Sequence, residues 1–120
     1  MLLVVDDDEL VLELLNDILQ DEFTVVTAAD GPSALERLCA LSALDGVITD
    51  FDMPHMSGLE LMWQIRQRYP NLPMVGLSGT LRPHRQFVGR CPEGVVLLQK
   101  PFEVSELLAV AQRLFQPTGK

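Results

Sequence analysis

Four short apolar runs in this chain each lead to polar side chains that could take part in phosphoryl transfer. In chain order these side chains are Asp6 with Asp7, then Asp50, Ser78 and Lys100. A carboxylate can attack phosphorus, while an ammonium and a hydroxyl can bind phosphoryl oxygens. Three neighbouring carboxylates would repel one another, and Mg²⁺, which takes oxygen ligands from carboxylates and phosphates, would relieve that repulsion. The residue types therefore predict a Mg²⁺-dependent phosphoryl-transfer site if the fold brings them together.

Asp50 stands at the end of a run that is typical of a buried strand. Val47, Ile48 and Thr49 lead directly into it, and Pro54 prevents the strand from continuing. Ligands of an open α/β sheet bind where the carboxyl ends of parallel strands meet, because the loops that leave this edge form a crevice. If the four runs are parallel strands, all five polar side chains lie at this edge.

The pattern of the whole chain supports such a sheet. Runs typical of strands occupy residues 2–5, 23–28, 46–50, 74–77 and 95–98. Helical spacing and start signals predict helices over residues 9–21, 33–41, 57–69 and 104–115. On the first helix, the face that packs onto the sheet is expected to consist of Leu10, Val11, Leu14, Leu15, Ile18 and Leu19. The alternation predicts an α/β fold with a five-stranded parallel sheet and helices on both faces.

The weak place in this alternation is the segment between the last two strands. Residues 81–94 should hold a fourth helix in chain order, yet they contain Pro83, Gly89, Pro92 and Gly94. Because proline and glycine disfavour helix interiors, we expect this helix to be short or irregular.

Composition restricts the classes of protein to which the chain could belong. Its 120 residues suit one domain, expected over residues 1–115, with residues 116–120 as a tail or the start of a linker. The net charge of -8, with all but three of the 17 acids in residues 1–65, argues against direct nucleic-acid binding. A membrane-length apolar run and a signal peptide are both lacking, so we expect no membrane association and a cytoplasmic location. The isolated Cys39 and Cys91 predict neither a zinc site nor a required disulfide.

These motifs carry a family resemblance over residues 2–115. The matching pieces, in order, are Val4-Val5-Asp6-Asp7-Asp8, Asp50-Phe51-Asp52-Met53-Pro54, Met56-Ser57-Gly58-Leu59-Glu60-Leu61, Ser78-Gly79 and Lys100-Pro101-Phe102. Together they resemble a response-regulator receiver domain of two-component signalling, similar to the receivers of hybrid sensor kinases or to single-domain response regulators. The resemblance implies a flavodoxin-like receiver fold.

The resemblance also assigns roles around the acceptor. It implies that Asp50 receives a phosphoryl group from a histidine kinase or a histidine phosphotransfer domain. Asp6 and Asp7 would hold Mg²⁺, partly through water, together with Asp50 and the backbone carbonyl of Asp52. Ser78 and Lys100 would bind the phosphoryl oxygens, and the Lys100–Pro101 peptide would be cis. Such a domain catalyses its own phosphorylation and slow dephosphorylation and is not a turnover enzyme.

Some positions depart from the family pattern or vary within it. Many receivers have Tyr or Phe three residues before the lysine, and Leu97 occupies that position here, so an aromatic switch is absent or replaced. Asp52 and Thr80 could tune the attack of water on the acyl phosphate. An output domain or downstream protein would bind through the face formed by residues 81–115.

Three alternatives remain open. Asp50-Phe51-Asp52 fits the spacing of a haloacid-dehalogenase-like phosphatase, with Asp50 as nucleophile and Asp52 as acid/base. A degenerate receiver could act as a binding module without being phosphorylated. Finally, Asp8 and Glu9 fit an acidic turn that caps the first helix, without any chemistry.

Overall fold

The alternation of strands and helices is confirmed. The structure, a computed structural model, describes residues 1–41, 43–53, 55–79 and 90–115. Its elements are β1 (Leu2–Val5), α1 (Glu9–Leu19), β2 (Val25–Ala28), α2 (Gly31–Ala40), β3 (Gly46–Asp50), α3 (Gly58–Arg68), β4 (Met74–Ser78), β5 (Val96–Gln99) and α4 (Val104–Leu114). Most of the irregular helix predicted within residues 81–94 lies outside the described residues, and so does the predicted tail at residues 116–120.

The five strands form one parallel sheet in the order β2-β1-β3-β4-β5. The register aligns the ends of the strands from which the candidate site residues follow. The paired residues at this edge are Val5 with Thr49, Asp50 with Leu77, and Ser78 with Gln99. Asp6 and Asp50 are the residues that follow the pair Val5 and Thr49, so they lie at the same height at the end of β1 and β3. Lys100 follows Gln99, the partner of Ser78, and lies at the same end of β5.

Helices cover both faces of the sheet, as predicted. One cluster of buried residues joins Leu2 and Val4 to α1 and α4, and the other joins Leu3 and Val5 to α2 and α3. Side chains alternate between the faces of a strand, so a central strand that is buried on both sides must be apolar throughout. This accounts for the continuous apolar sequence of β1.

Side-chain caps set the starts of the helices next to the carboxyl edge. Asp8 accepts a hydrogen bond from the amide of Leu10 at 2.9 Å, so its predicted capping role is confirmed. Ser57 accepts one from the amide of Glu60 at 3.2 Å, which begins α3 where the Ser-x-x-Glu pattern predicts. Among the described residues, no helix is both long and apolar enough to cross a bilayer.

The predicted packing of α1 is wrong at two positions. Leu15 and Leu19 are buried, but Leu10 is 75% exposed and Leu14 is 46% exposed. The apolar arc of α1 is wider than the surface that the sheet and α4 can cover. Two large apolar side chains therefore remain on the surface close to the carboxyl edge.

Candidate functional site

The ends of β1 and β3 bury two carboxylates side by side. Asp6 is fully buried and Asp50 is only 4% exposed. One oxygen of Asp6 accepts a hydrogen bond from the amide of Asp8 at 2.9 Å. This bond leaves the other carboxylate oxygen of Asp6 to face β5.

Lys100 completes this arrangement from the end of β5. Its amide donates a hydrogen bond to the carbonyl of Ser78 at 2.6 Å, which ties the end of β5 to that of β4. Its Nζ lies 2.8 Å from Asp6 Oδ2 and 3.3 Å from Asp50 Oδ1. The Lys100–Pro101 peptide is cis, as the resemblance implies. The structure thus brings together the predicted lysine and two of the predicted carboxylates.

Burial and charge shift the pKa values of Asp50 and Lys100. Desolvation, assisted by the negative charge of Asp6, raises the pKa of Asp50 from 3.8 to about 6, although Lys100 opposes the shift. Burial alone would lower the pKa of Lys100, but its hydrogen bond with Asp6 and the charge of Asp50 raise it overall. Lys100 is therefore an ammonium, whereas Asp50 changes charge close to neutral pH.

The donor set fits a hard divalent cation. Asp6, Asp7 and Asp50 each offer a carboxylate oxygen within 4.8 Å of the other two. Asp7 is exposed, so the cluster opens to solvent on one side. Three carboxylates face one ammonium here, so the site carries an excess of negative charge, and two of its carboxylates are buried. Mg²⁺ suits such a site because it accepts a few carboxylate ligands and keeps several waters.

The other predicted positions are distributed around this cluster. Ser78 is fully buried at the end of β4, and Asp52 is exposed beyond β3 and is not one of the three clustered carboxylates. Leu97 is half-buried and packs with the core of the α2 and α3 face. Thr80 lies outside the described residues.

Two features of the site were missed in the sequence. The first is the close approach of Gly58 to the backbone of Asp50. Gly58 stands in one of the motifs that carry the resemblance and beside the Ser57 cap, but neither position indicated this contact. The second is an apolar groove of about 390 Å³ between α1 and the start of α4. It is lined by Val11, Leu14, Gly79, Lys100, Pro101 and Phe102. The sequence indicated this groove only indirectly, because the apolar residues of α1 cover more of the helix surface than the sheet and α4 can bury.

Comparisons with known proteins agree on one family. The profile described as "Response regulator receiver domain" matches residues 2–112. Response regulator MprA of Mycobacterium ulcerans is 36% identical over 118 residues, which cover 98% of this chain and 50% of that protein. The probable transcriptional regulatory protein TcrX of Mycobacterium tuberculosis is 30% identical, with the same two coverages. This chain thus spans about half the length of these curated relatives.

Solved structures give the same result for the fold. The chemotaxis protein CheY4 of Vibrio cholerae superposes with a TM-score of 0.85 at 32% identity, covering 95% of this chain and 97% of that one. A response regulator receiver protein of Sinorhizobium medicae superposes with a TM-score of 0.86 at 28% identity, covering 94% and 91%.

Proposed function

This chain belongs to the response regulator receiver domain family, and from that premise we propose that Asp50 accepts a phosphoryl group from a phosphohistidine in a Mg²⁺-dependent reaction. The donor is a histidine kinase or a histidine phosphotransfer domain. The observation that carries the proposal is the contact of the Lys100 ammonium with both Asp6 and Asp50 at the carboxyl edge of the sheet. A buried carboxylate beside a cation and further carboxylates matches what phosphoryl transfer requires.

In the proposed reaction, a carboxylate oxygen of Asp50 forms a bond to phosphorus while the bond from phosphorus to the donor imidazole nitrogen breaks. Mg²⁺, held by Asp6, Asp7, Asp50 and the backbone carbonyl of Asp52, would neutralise charge on the phosphoryl oxygens. Lys100 is already 3.3 Å from Asp50 and donates to one phosphoryl oxygen, and the Ser78 hydroxyl donates to another. With a pKa of about 6, Asp50 is mostly the nucleophilic carboxylate at pH 7.5.

The apolar groove beside Lys100 is the proposed docking place for the donor. A donor imidazole must come within bonding distance of Asp50, so the donor protein must cover the adjacent surface. The groove is lined by Leu14 and Phe102, among others, and the neighbouring helix α1 also exposes Leu10. Two exposed carboxylates, Glu9 and Glu103, stand next in sequence to Leu10 and Phe102. A donor helix with apolar residues flanked by basic ones complements this surface.

We propose that the output signal passes through residues 81–94 and not through an aromatic side chain at position 97. Two hydrogen bonds from α3 anchor the end of this segment: Trp63 Nε1 donates to the carbonyl of Arg90 at 2.7 Å, and Arg66 donates to that of Glu93 at 3.1 Å. A phosphoryl mimic such as beryllium trifluoride should slow amide exchange within residues 81–94. Unchanged exchange there would contradict this route.

Asp52 and Thr80 tune the slow hydrolysis of the acyl phosphate. The receiver spans residues 1–115, and an output domain or downstream protein reads the 81–115 face. The proposed place of action is the cytoplasm.

Incubation with acetyl phosphate and Mg²⁺ tests the proposal. A phosphate-affinity gel should reveal a base-labile adduct in the wild type, and Asp50→Asn should abolish it. A degenerate receiver would form no adduct. A haloacid-dehalogenase-like phosphatase would instead turn over a generic phosphomonoester; Asp52, its acid/base, is exposed and outside the carboxylate cluster, which does not favour that alternative.

A further inference from the structure

The first residue of α3 is pressed against the end of the strand that carries Asp50. The Gly58 amide donates a hydrogen bond to the carbonyl of Phe51 at 2.9 Å. A Cβ atom on Gly58 would stand 2.0 Å from the carbonyl oxygen of Asp50, and 2.8 Å from both the Asp50 carbonyl carbon and the Phe51 Cα. All three atoms belong to the backbone, so none can rotate away as the tip of a flexible side chain can.

We propose that Gly58 is a positioning residue for phosphoryl transfer. Because Gly58 has no Cβ, the first turn of α3 can pack directly against the Asp50–Phe51 backbone. This packing holds the carboxylate of Asp50 in place beside Lys100 and Asp6. This inference rests on the proposed function and adds to it a residue that touches neither the phosphoryl group nor the metal.

The backbone that Gly58 contacts cannot give way on its own. The amide of Phe51 donates to the carbonyl of Leu77 at 2.9 Å, which ties it to β4. The Phe51 ring is buried and fills the space above Gly76, where a Cβ would stand 2.5 Å from two of its carbons. Phe51 is thus held by β4 on one side and by α3 on the other. A side chain at position 58 must therefore displace either the whole strand end or the start of α3.

Such a displacement would reach the acceptor directly. A contact of 2.0 Å must lengthen by about 1 Å or more before a Cβ can be accommodated. Asp50 is the terminal residue of β3, and its carboxylate lies 3.3 Å from Lys100. A misplacement of about 1 Å at a reacting group can lower a rate by about 100-fold.

The same strand offers a matched control at its other end. A Cβ on Gly46, the first residue of β3, would stand 2.1 Å from two carbons of the buried Phe115 ring. Gly46→Ala therefore crowds β3 at a similar distance, against a buried side-chain ring instead of backbone, and at the opposite edge of the sheet from Asp50. A general loss of stability should appear in both variants, whereas a loss of position at the acceptor should appear only in Gly58→Ala.

The experiment compares Gly58→Ala, Gly46→Ala and the wild type as ¹⁵N-labelled chains of residues 1–120. In metal-free protein, Gly58→Ala should shift the amide resonances of Asp6, Asp50 and Lys100 more than Gly46→Ala does. Titration with Mg²⁺, followed through these resonances, should give a several-fold weaker affinity for Gly58→Ala alone. Per folded molecule, the maximal rate with acetyl phosphate should fall by about 100-fold in Gly58→Ala and less than twofold in Gly46→Ala.

Equal amide shifts and equal Mg²⁺ affinities in the two variants would overturn the proposal. If Gly58→Ala does not fold, the measurements are repeated with trimethylamine N-oxide, which favours the compact state. A variant that stays unfolded there has lost the fold itself, and Gly58 is then a structural residue. If the wild type forms no adduct, the proposed function fails, and the amide shifts of the metal-free chains still decide whether Gly58 positions the strand end.

Discussion

The ammonium of Lys100 lies 2.8 Å from a carboxylate oxygen of Asp6, a side chain with no exposed surface. These residues stand 94 positions apart in the chain. The contact exists because β1 and β5 end at the same edge of a parallel sheet. It gives the otherwise anionic site a fixed positive charge next to the proposed acceptor.

Lys100→Met should destabilise the metal-free protein by about 1–3 kcal/mol, because two buried carboxylates lose their cation. Saturating Mg²⁺ should remove most of this loss by supplying the missing charge. Urea unfolding with EDTA and with Mg²⁺ measures both effects, and Arg113→Met, at an exposed position on α4, serves as the control. A loss that Mg²⁺ does not reduce would contradict the assigned role of this charge.

The raised pKa of Asp50 predicts a pH-dependent stability. Below about pH 4 the Asp50 carboxyl is protonated in both the folded and the unfolded chain. Above about pH 6 it is charged in both, and the folded chain alone is destabilised because it must bury that charge. The stability that depends on its protonation is therefore lost as pH rises through this window. Asp50→Asn should then be more stable than the wild type at pH 7.5 without metal, by up to about 3 kcal/mol.

This advantage of Asp50→Asn should shrink toward pH 4. Thermal unfolding in EDTA at several pH values measures it, with Asp17→Asn, an exposed carboxylate on α1, as the control. A stability difference that stays constant with pH would show that burial of the Asp50 charge is not its cause.

Asp7 and Asp8 are adjacent acids that should differ in metal binding. Asp7→Asn removes one of the three clustered carboxylates and should weaken Mg²⁺ binding by about tenfold, or roughly 1.4 kcal/mol. Asp8→Asn should leave the affinity within about twofold, because Asp8 caps α1 and asparagine caps a helix equally well. A ¹⁵N resonance titration compares them, and equal losses in both variants would refute the three-carboxylate site.

Leu14→Ser should separate donor docking from chemistry. We expect phosphotransfer from a phosphohistidine protein to slow by about tenfold, while phosphorylation by acetyl phosphate stays unchanged. Leu14 is 46% exposed, so the free energy of unfolding should change by only about 0.5 kcal/mol. Trp63→Ser removes a similarly exposed side chain from the opposite face of the sheet and should affect neither donor. Equal slowing with both donors would place Leu14 in the chemistry instead of docking.

Much of this site could be predicted from local pattern because it lies at the ends of strands. Asp50 follows a β-branched run, Asp6 follows an apolar run, and parallel strands bring their carboxyl ends to one edge. Once the strands were identified, the parallel topology alone predicted that these two acids lie close to each other. The start of α3 at the Ser57 cap could be predicted for a similar reason, since the cap and the amides that it satisfies are close in sequence.

Features that depend on contacts between distant segments could not be predicted in this way. The exposure of Leu10 depends on how much of α1 the sheet and α4 can cover, and helical periodicity does not carry that information. The hydrogen bond from Trp63 to Arg90 joins residues 27 positions apart. The contact between Gly58 and the Asp50 backbone depends on how closely a helix approaches a strand.

By itself, then, the sequence determined the order of the strands and helices, the parallel sheet and the set of acids, serine and lysine at its carboxyl edge, because these follow from short-range periodicity and one topological rule. Only the tertiary structure decided the distances from Lys100 to its two carboxylates, the raised pKa of Asp50, the groove beside α1 and the constraint at Gly58. These depend on close packing, in which an ångström of approach changes both the energy and the chemistry.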